Sequence, residues 1–234
     1  MIGKIIDKKE VAEETLSVSF QIDEPIVFKP GQYMFIKLLN PPFTDQEGDK
    51  RQFSINNPPS QNTVLEMTTR LTDSAFKKSL KELPLNTTVE IGPIAGVFTL
   101  PENPLKPLVF IAGGIGITPF MSMLRHVSKN SLPYKITLVY SNRNQASTAY
   151  LQEIQQFPQK IPNLKLVLTM TDDPNWEGEG RMINAEFIKE YFPNVNNNMY
   201  MVVGPPAMVD AVEKSLIEAG VLPENIKKEN FTGY

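Results

Sequence analysis

The sequence contains no cysteine and only one histidine, His126. The absence of cysteine excludes disulfides, thiolate nucleophiles, cysteine-bound zinc and any cysteine-held iron–sulfur cluster. A single histidine also excludes a metal centre built from a histidine cluster, and His126 is interpreted as an ordinary surface or boundary residue of a helix. No metal site is therefore expected in this chain.

Strong charge of either sign and long apolar runs are also missing. The 23 lysines and arginines oppose 26 aspartates and glutamates, so the net charge is −3 and the basic stripe of a nucleic-acid-binding protein is lacking. No apolar run reaches the roughly 18 residues that a membrane-spanning helix requires. Residues 1–5 lead into a strand-like pattern without the apolar core of a secretory signal, which predicts a cytoplasmic protein. Neither nucleic-acid binding nor a membrane span is expected.

The first hundred residues are typical of a small antiparallel barrel. Short β-rich runs are separated by turn residues at short intervals. One helix is predicted at residues 74–83, starting with Ser74, a residue type able to cap a helix. Residues 45–50 lack apolar periodicity and are predicted to form an exposed, mobile loop. The predicted strands are residues 3–8, 15–21, 33–38, 52–55, 64–69 and 88–91.

The remainder alternates apolar strands with helical patterns after a proline-rich linker at residues 101–107, which indicates a parallel α/β sheet. The strands lack polar alternation, so burial on both faces is expected. Two domains are predicted: an antiparallel β-barrel over residues 1–101 and an α/β parallel-sheet nucleotide-binding domain over residues 102–234. The predicted strands are 108–112, 136–140, 164–169, 199–203 and 226–229, and the helices 119–127, 148–156, 185–191 and 207–219.

A glycine-rich turn, Gly113-Gly114-Ile115-Gly116-Ile117-Thr118-Pro119, joins the first strand of this second half to a helix. Glycines allow close approach to the main chain, and free amides at a helix start can receive a pyrophosphate. Proline suits the first helical turn because it has no amide to leave unpaired. The spacing departs from G-x-G-x-x-G, since Pro119 takes the place of the third glycine. Phosphate binding and an ordinary tight turn both remain open.

A second junction of strand, turn and helix occurs at Gly204-Pro205-Pro206-Ala207-Met208. In a parallel α/β sheet both turns lie at the carboxyl ends of their strands, where ligands bind. Two such turns at one sheet edge predict a shared site, although a proline-rich turn by itself is also a common helix start.

The order of these motifs resembles the ferredoxin–NADP reductase superfamily, in which an FAD-binding barrel precedes a nicotinamide-dinucleotide-binding domain. The resemblance covers nearly the whole chain. It rests on Arg51-Gln52-Phe53-Ser54, on residues 92–98 (Gly-Pro-Ile-Ala-Gly-Val-Phe), on the two turns above and on the terminal Phe231-Thr232-Gly233-Tyr234. It implies that the chain is an enzyme that binds FAD and accepts a hydride from NADPH or NADH.

The resemblance also implies roles for individual residues of the barrel. Arg51 would grip the flavin pyrophosphate, a bidentate task that suits a guanidinium, and Ser74 would add a hydroxyl. Phe53 would lie against the isoalloxazine, while Ser54 would hydrogen-bond flavin N5 as a catalytic residue. Further cofactor contacts are implied for Gln52, Met67, Thr68 and Thr69.

In the second half, Thr118 and Tyr234 are expected to act as catalytic residues. Thr118 would lie where the glycine turn meets both cofactors, and Tyr234 would stack on the flavin face that the nicotinamide must occupy. Tyr234 would therefore move during turnover. The other implied cofactor contacts are Gly113, Gly114, Gly116, Pro119, Asn142, Arg143, Gly204 and Pro205.

The sequence departs from the family pattern at three points. Phe53 stands where the commonest motif has tyrosine, so a hydrogen bond to the flavin side chain is lost while packing remains. Val203 takes the place of a cysteine that many members hold near nicotinamide C4, and no acidic residue directly precedes Tyr234. Hydride transfer is therefore expected to be slower than in the photosynthetic enzymes.

The choice of nicotinamide depends on the end of the strand at residues 136–140. Ser141-Asn142-Arg143 follows it, and an arginine accommodates a 2′-phosphate whereas an acidic residue favours the free ribose hydroxyls of NAD. Arg143, with Arg181 as a second candidate, favours NADPH. Residues 175–181 resemble the family's loop beside the adenosine.

Electrons would pass from FAD to an external acceptor: a ferredoxin, a flavodoxin, another electron-transfer protein or an oxygenase component. One alternative is an NAD(P)H:flavin reductase that uses flavin as a diffusing substrate and donates to a small-molecule acceptor. Another is a non-enzymatic regulatory subunit that retains a nucleotide-binding fold, because fold does not fix function.

Overall fold

The computed structural model describes residues 1–231, which divide into two compact units. The barrel unit comprises Met1–Leu100 together with Thr118–His126, and the sheet unit comprises Pro101–Ile117 and the chain from Val127 onward. By packing, the first part of the helix after the glycine turn thus groups with the barrel unit. The boundary near residue 101 stays a prediction about folding domains.

The barrel unit is built on six antiparallel strands in the order β4-β3-β6-β1-β2-β5, with one helix inserted before the last strand in sequence. Just beyond β4, the backbone N–H of Asn56 donates to the carbonyl of Glu66 in β5 at 2.8 Å, joining the two edge strands. The predicted all-antiparallel first half is confirmed. The elements are β1 Ile2–Ala12, β2 Thr15–Ile22, β3 Tyr33–Leu38, β4 Lys50–Ser54, β5 Val64–Arg70, α1 Ala75–Glu82 and β6 Thr88–Ala95.

The core of the barrel unit follows from the period-2 pattern of its strands. In β3, the side chains of Met34, Ile36 and Leu38 are fully buried while the residues between them are partly exposed. Helix α1 adds Phe76 and Leu80, which lie one turn apart on the same face. Each such burial stabilises the fold by about 1.5–3 kcal/mol before the opposing entropy is counted.

The sheet unit contains a five-stranded parallel sheet in the order β11-β10-β7-β8-β9. The predicted parallel α/β architecture is confirmed, and each predicted strand and helix is present within a few residues. The strands are β7 Leu108–Gly113, β8 Ile136–Asn142, β9 Leu164–Met170, β10 Met199–Gly204 and β11 Ile226–Asn230. The helices that connect them are α2 Thr118–Lys129, α3 Leu151–Lys160, α4 Ala185–Tyr191 and α5 Pro206–Glu218.

Burial varies across this sheet with the position of each strand. All six residues of the central strand β7 are buried, as are five of the six in β10. The edge strand β11 has no buried residue, so the expectation of burial on both faces is wrong for it. The reason is that β11 pairs on one side only. Among residues 1–231, no helix is long and apolar enough to cross a membrane.

Candidate functional site

The glycine turn lies at the carboxyl end of β7, where Gly114–Ile117 forms a short 3₁₀ turn before α2. Gly114 has a φ of +53°, and a Cβ added there would meet nothing within 4 Å. A Cβ on Gly116 would instead lie 2.5 Å from the carbonyl oxygen of Val203. The turn therefore needs glycine at 116 for close packing and favours it at 114 for backbone freedom.

The second turn lies beside the first, because β7 and β10 are neighbouring parallel strands. A Cβ added to Gly204 would lie 3.4 Å from the Cα of Gly113 and 2.9 Å from the sulfur of Met208 in α5. A Cβ on Gly113 would approach the same sulfur to 2.9 Å. The structure thus brings Gly113, Gly116 and Gly204 together at one edge of the sheet, while Pro205 is exposed beside them.

Asn142 and Arg143 lie at the carboxyl end of β8, the next strand of the sheet. Arg143 is exposed, whereas Asn142 is 7% exposed and its side-chain nitrogen is buried without a hydrogen-bond partner among residues 1–231. A buried donor without a partner carries a cost that a ligand acceptor would remove. This edge of the sheet therefore combines an exposed cation with an unpaired buried donor.

Arg181, the second cation considered for a 2′-phosphate, is already paired. Its guanidinium donates to Glu179 at 2.7 and 3.0 Å and to Glu190 at 2.8 Å. Hydrogen bonds from Arg181 lower the pKa of Glu179 to about 2. With two carboxylates holding it, Arg181 is a weaker candidate for an anion than the exposed Arg143.

In the barrel unit, Arg51 and Phe53 lie on one face of β4 because they are two residues apart. Both contact Phe76 of α1. The guanidinium carbon of Arg51 lies 5.5 Å from the centre of the Phe76 ring, and the centres of the Phe53 and Phe76 rings are 5.7 Å apart. Gln52 occupies the opposite face and is exposed. The two principal flavin-binding candidates of the barrel therefore meet at α1.

Ser74 is at the N-cap of α1, but its hydroxyl makes no capping bond and is buried without a partner among the described residues. The expectation that Ser74 caps α1 is wrong, because a carboxylate from a distant loop binds the first backbone N–H of the helix instead. Asp45 accepts a hydrogen bond from the backbone N–H of Ala75 at 3.0 Å. A negative group thus lies at the positive end of the helix.

The guanidinium of Arg51 is held by the same loop. Its Nη1 atom donates to the carbonyls of Glu47, Gly48 and Lys50 at 2.9, 3.1 and 2.8 Å. Its Nη2 atom donates to the carboxylate of Glu47 at 2.8 Å and lies 3.6 Å from that of Asp45. Arg51 and the start of α1 therefore form a single anion-binding arrangement, which in this structure holds carboxylates.

The remaining predicted residues of the barrel unit are buried. Ser54, Thr68, Thr69 and Thr118 are between 1% and 7% exposed, and Pro119 is buried beside Thr118 at the start of α2. Thr68 accepts a hydrogen bond from the side chain of Asn56 at 2.6 Å. Met67 packs in the barrel core with no exposed surface.

Sequence reasoning missed Glu229. It lies in β11 opposite Val203 of β10, close to the turn at Gly204. Burial raises the pKa of Glu229 to about 7. The sequence signal was an isolated glutamate at the end of a predicted strand, which does not distinguish a half-buried carboxyl from a solvated one.

Tyr234 lies outside the described residues, so its predicted stacking is not tested by the structure. The last described residue, Phe231, donates its backbone N–H to the carbonyl of Gly204 at 2.9 Å. The residue that follows β11 thus lies beside the second turn.

Comparison with known proteins gives consistent likenesses. A family model described as an oxidoreductase NAD-binding domain matches residues 110–214. The chain is 27% identical to the reductase component DmpP of phenol 2-monooxygenase from Pseudomonas sp. (strain CF600), covering 90% of this chain and 60% of that protein. Across the first three relatives of this kind, the chain spans about three fifths of their length.

Solved structures share the fold over nearly the full chain. The cytochrome P450 reductase GcoB of Amycolatopsis superposes with a TM-score of 0.85 at 24% identity, covering 99% of this chain and 69% of that one. A ferredoxin NADP⁺ reductase from Neisseria gonorrhoeae, solved with bound FAD and NADP, superposes with a TM-score of 0.80 at 20% identity, covering 98% of both chains.

Proposed function

We propose that this chain, which resembles the ferredoxin–NADP reductase superfamily, is an oxidoreductase that takes a hydride from NADPH or NADH onto FAD and passes electrons to an external acceptor. The observation that carries this proposal is the pair of turns at the carboxyl edge of the parallel sheet. Gly114 and Gly204 belong to adjacent strand-to-helix junctions, the arrangement that favours dinucleotide binding in such sheets.

The barrel unit supports a site for the diphosphate of FAD. Arg51 and the amide of Ala75 at the start of α1 already bind carboxylates, and a phosphate offers the same kind of acceptor to the same donors. The buried, unpaired hydroxyl of Ser74, the residue before Ala75, gains a partner if a phosphate enters. Bound FAD supplies hydride acceptance at N5 and the release of single electrons.

The chain's own residues would orient the reactants and exclude water. We assign Ser54 to a hydrogen bond with flavin N5 and Phe53 to packing against the flavin ring system. Thr118, at the start of α2 beside the glycine turn, is assigned to contact both cofactors. Ser54 and Thr118 are almost fully buried, so their hydroxyls are fixed by their surroundings rather than by solvent. No general acid or base is needed for hydride transfer, which depends on proximity and orientation.

For the donor, we propose a preference for NADPH through Arg143. Its exposed guanidinium at the end of β8 has the reach and charge to bind a 2′-phosphate. Arg143 is preferred to Arg181 for this role because two carboxylates already hold Arg181.

For the acceptor, we propose an electron-carrier protein or an oxygenase component. The relatives named as reductase components of phenol 2-monooxygenase and terephthalate 1,2-dioxygenase support this class of partner. The 234 residues contain no cysteine, so an iron–sulfur acceptor would hold its cluster elsewhere. The cytoplasmic location expected from the sequence stays a prediction.

A second candidate is an NAD(P)H:flavin reductase that releases its flavin. One observation favours it: the Nη atoms of Arg51 already donate to three carbonyls and a carboxylate, so a phosphate must compete for them. A site of this kind would hold flavin less firmly than one with a free guanidinium.

The test is a visible absorption spectrum of purified, desalted protein, followed by anaerobic addition of NADPH and NADH. We expect a yellow protein whose released flavin is FAD and which bleaches with either nucleotide. A colourless protein that reduces added flavin would replace the first function with the second. A yellow protein that neither nucleotide bleaches would contradict both and favour a regulatory subunit.

A further inference from the structure

A short acidic loop of the barrel unit, residues 44–48 (Thr-Asp-Gln-Glu-Gly), occupies the donors that the proposed function assigns to the flavin diphosphate. Glu47 pairs with the guanidinium of Arg51, and Asp45 accepts from the first amide of α1. These are two separate donors, one on a strand and one on a helix. The loop reaches both at the same time, so its contacts are not a single accidental ion pair.

The acidic loop is anchored at its two ends and exposed between them. On one side, the main chain of Phe43 exchanges two hydrogen bonds of 3.0 Å with the hydroxyl of Ser79 in α1. On the other, the carbonyl of Asp49 accepts from the backbone N–H of Leu38 at 2.9 Å. All five residues of the loop itself are exposed. Little apolar burial therefore resists movement of residues 44–48 about these two anchors.

The loop also lines an open cavity. A volume of about 360 Å³ is bordered by Phe43, Thr44 and Gly48 on the loop side and by Phe76 on the helix side. Gly48 has a φ of +77°, and a Cβ added there would meet nothing within 4 Å. Space for a different loop conformation is thus already present beside α1.

The charges around the acidic loop are also compatible with replacement of its carboxylates by a diphosphate. Lys77 of α1 is 6% exposed, and its pKa is lowered first by burial and then by the charge of Arg51, whereas Glu47 raises it. The carboxylate of Glu47 therefore offsets part of the repulsion between Lys77 and Arg51. A diphosphate carries one negative charge on each phosphate, so it can replace Asp45 and Glu47 without changing the local charge.

We propose that Asp45 and Glu47 form an anionic latch that occupies the phosphate-binding donors of the barrel unit and is displaced when the FAD diphosphate binds. This rests on the proposed function. Binding is then an exchange of carboxylates for phosphates, and the latch lowers the affinity for FAD. A flavin without phosphate does not need to displace the latch, so its affinity is independent of these two carboxylates.

The experiment measures dissociation constants for FAD and riboflavin with the full flavin-free chain, from quenching of flavin fluorescence. The variants are Glu47→Gln and Asp45→Asn combined with Glu47→Gln. Glu47 is 76% exposed, so its replacement does not endanger folding, and an asparagine at 45 still offers an oxygen to Ala75. The matched control is Asp23→Asn with Glu24→Gln, which removes the same charge from exposed residues that form no hydrogen bond or ion pair within residues 1–231.

We expect FAD to bind about threefold more tightly to the Glu47 variant and about tenfold more tightly to the double variant, as the loss of exposed ion pairs implies. The riboflavin affinity of both variants should equal that of wild type. The control protein should bind both FAD and riboflavin as wild type does. Equal or weaker FAD binding by the double variant, or an equal gain for riboflavin, overturns the latch alone. If FAD binds to none of these proteins, the proposed function falls together with the latch.

Discussion

A Cβ atom added to Gly116 would lie 2.5 Å from the carbonyl oxygen of Val203, closer than Cβ atoms come to a backbone atom in folded proteins. The glycine turn after β7 can therefore lie against the end of β10 only with glycine at this position. This contact joins the two turns of the sheet unit into one edge. Substitution of Gly116 therefore tests whether this edge of the sheet binds a nucleotide.

Replacing Gly116 with alanine should push the two turns apart. We expect NADPH affinity to fall by at least tenfold and the free energy of unfolding to fall by about 1–3 kcal/mol, as for an overpacked site. Nucleotide titration and chemical denaturation measure the two effects. Gly180→Ala is the control for stability, since its Cβ would meet only the carbonyl of Met170 at an ordinary 3.5 Å. Unchanged NADPH binding by the Gly116 variant would mean that the glycine turn is not part of the nucleotide-binding site.

Replacing Arg51 with alanine should weaken FAD retention by about a hundredfold, because a charge-assisted bidentate contact is lost. The FAD affinity of Arg51→Lys should lie between those of wild type and of the alanine variant, since lysine keeps the charge without the planar guanidinium. The flavin content after desalting and the dissociation constant measure this. If the alanine variant retained FAD as wild type does, Arg51 would be a surface residue held only by its own loop.

Arg143 should decide between the two donors. We expect Arg143→Ala to raise the KM for NADPH by about tenfold and to leave that for NADH unchanged, because only NADPH carries the 2′-phosphate. Steady-state kinetics with both nucleotides test this. An equal effect on both would contradict a role in phosphate recognition, and an effect on neither would leave Arg143 a solvated loop residue.

The ion pair between Arg125 of α2 and Glu66 of β5 should stabilise the barrel unit. Their nitrogen and oxygen are 2.9 Å apart, and the side chains are only 17% and 21% exposed. We expect Arg125→Met to lower the free energy of unfolding by about 1–3 kcal/mol, because Glu66 loses a partner in a partly buried position. A double-mutant cycle with Glu66→Gln should give a coupling of about 1 kcal/mol. Additive effects would mean that the pair contributes no interaction of its own.

Glu229 should make stability depend on pH. Its pKa is raised by burial from 4.5 to about 7, so the folded chain keeps a proton that the unfolded chain releases within this range. The stability should be highest below about pH 4.5 with respect to this group and should fall as the pH rises towards 7.

Replacing Glu229 with glutamine removes this dependence. We expect Glu229→Gln to exceed wild type by about 1–2 kcal/mol at pH 8, after allowance for partial solvent screening, and to equal it near pH 4. Unfolding in denaturant at both pH values measures the difference. The exposed Glu177→Gln is the control, and a Glu229 variant that showed no gain at pH 8 would contradict the buried carboxyl.

Much of the fold could be predicted from the sequence because it depends on local patterns. Alternation of apolar residues predicted strands such as β3, and continuous apolar runs predicted β7 and β10. The glycine turn was recognisable from Gly113 to Pro119 because glycine and proline act on their own backbone angles. Strand β11 was found as well, but its exposure was not, since the sequence does not say which strand ends the sheet.

The candidate site could be predicted only as a set of residue types. Arg51 was identified, but its partners were not: Glu47 is its neighbour at a helix-like spacing in a segment that has no helix. The cap of α1 was expected from Ser74 and is supplied by Asp45, which is 30 residues away from Ala75. Arg181 looked like an available cation until the structure showed Glu190 against it.

By itself, the sequence determined the order of strands and helices, the two glycine turns and the absence of any thiolate chemistry, because each depends on residues adjacent in the chain. Only the tertiary structure decided which charges are already paired. Arg51, Arg125 and Arg181 are alike as sequence letters, yet each is neutralised by different carboxylates. The strength of an ion pair depends on distance and burial, and both arise only when separate segments pack together.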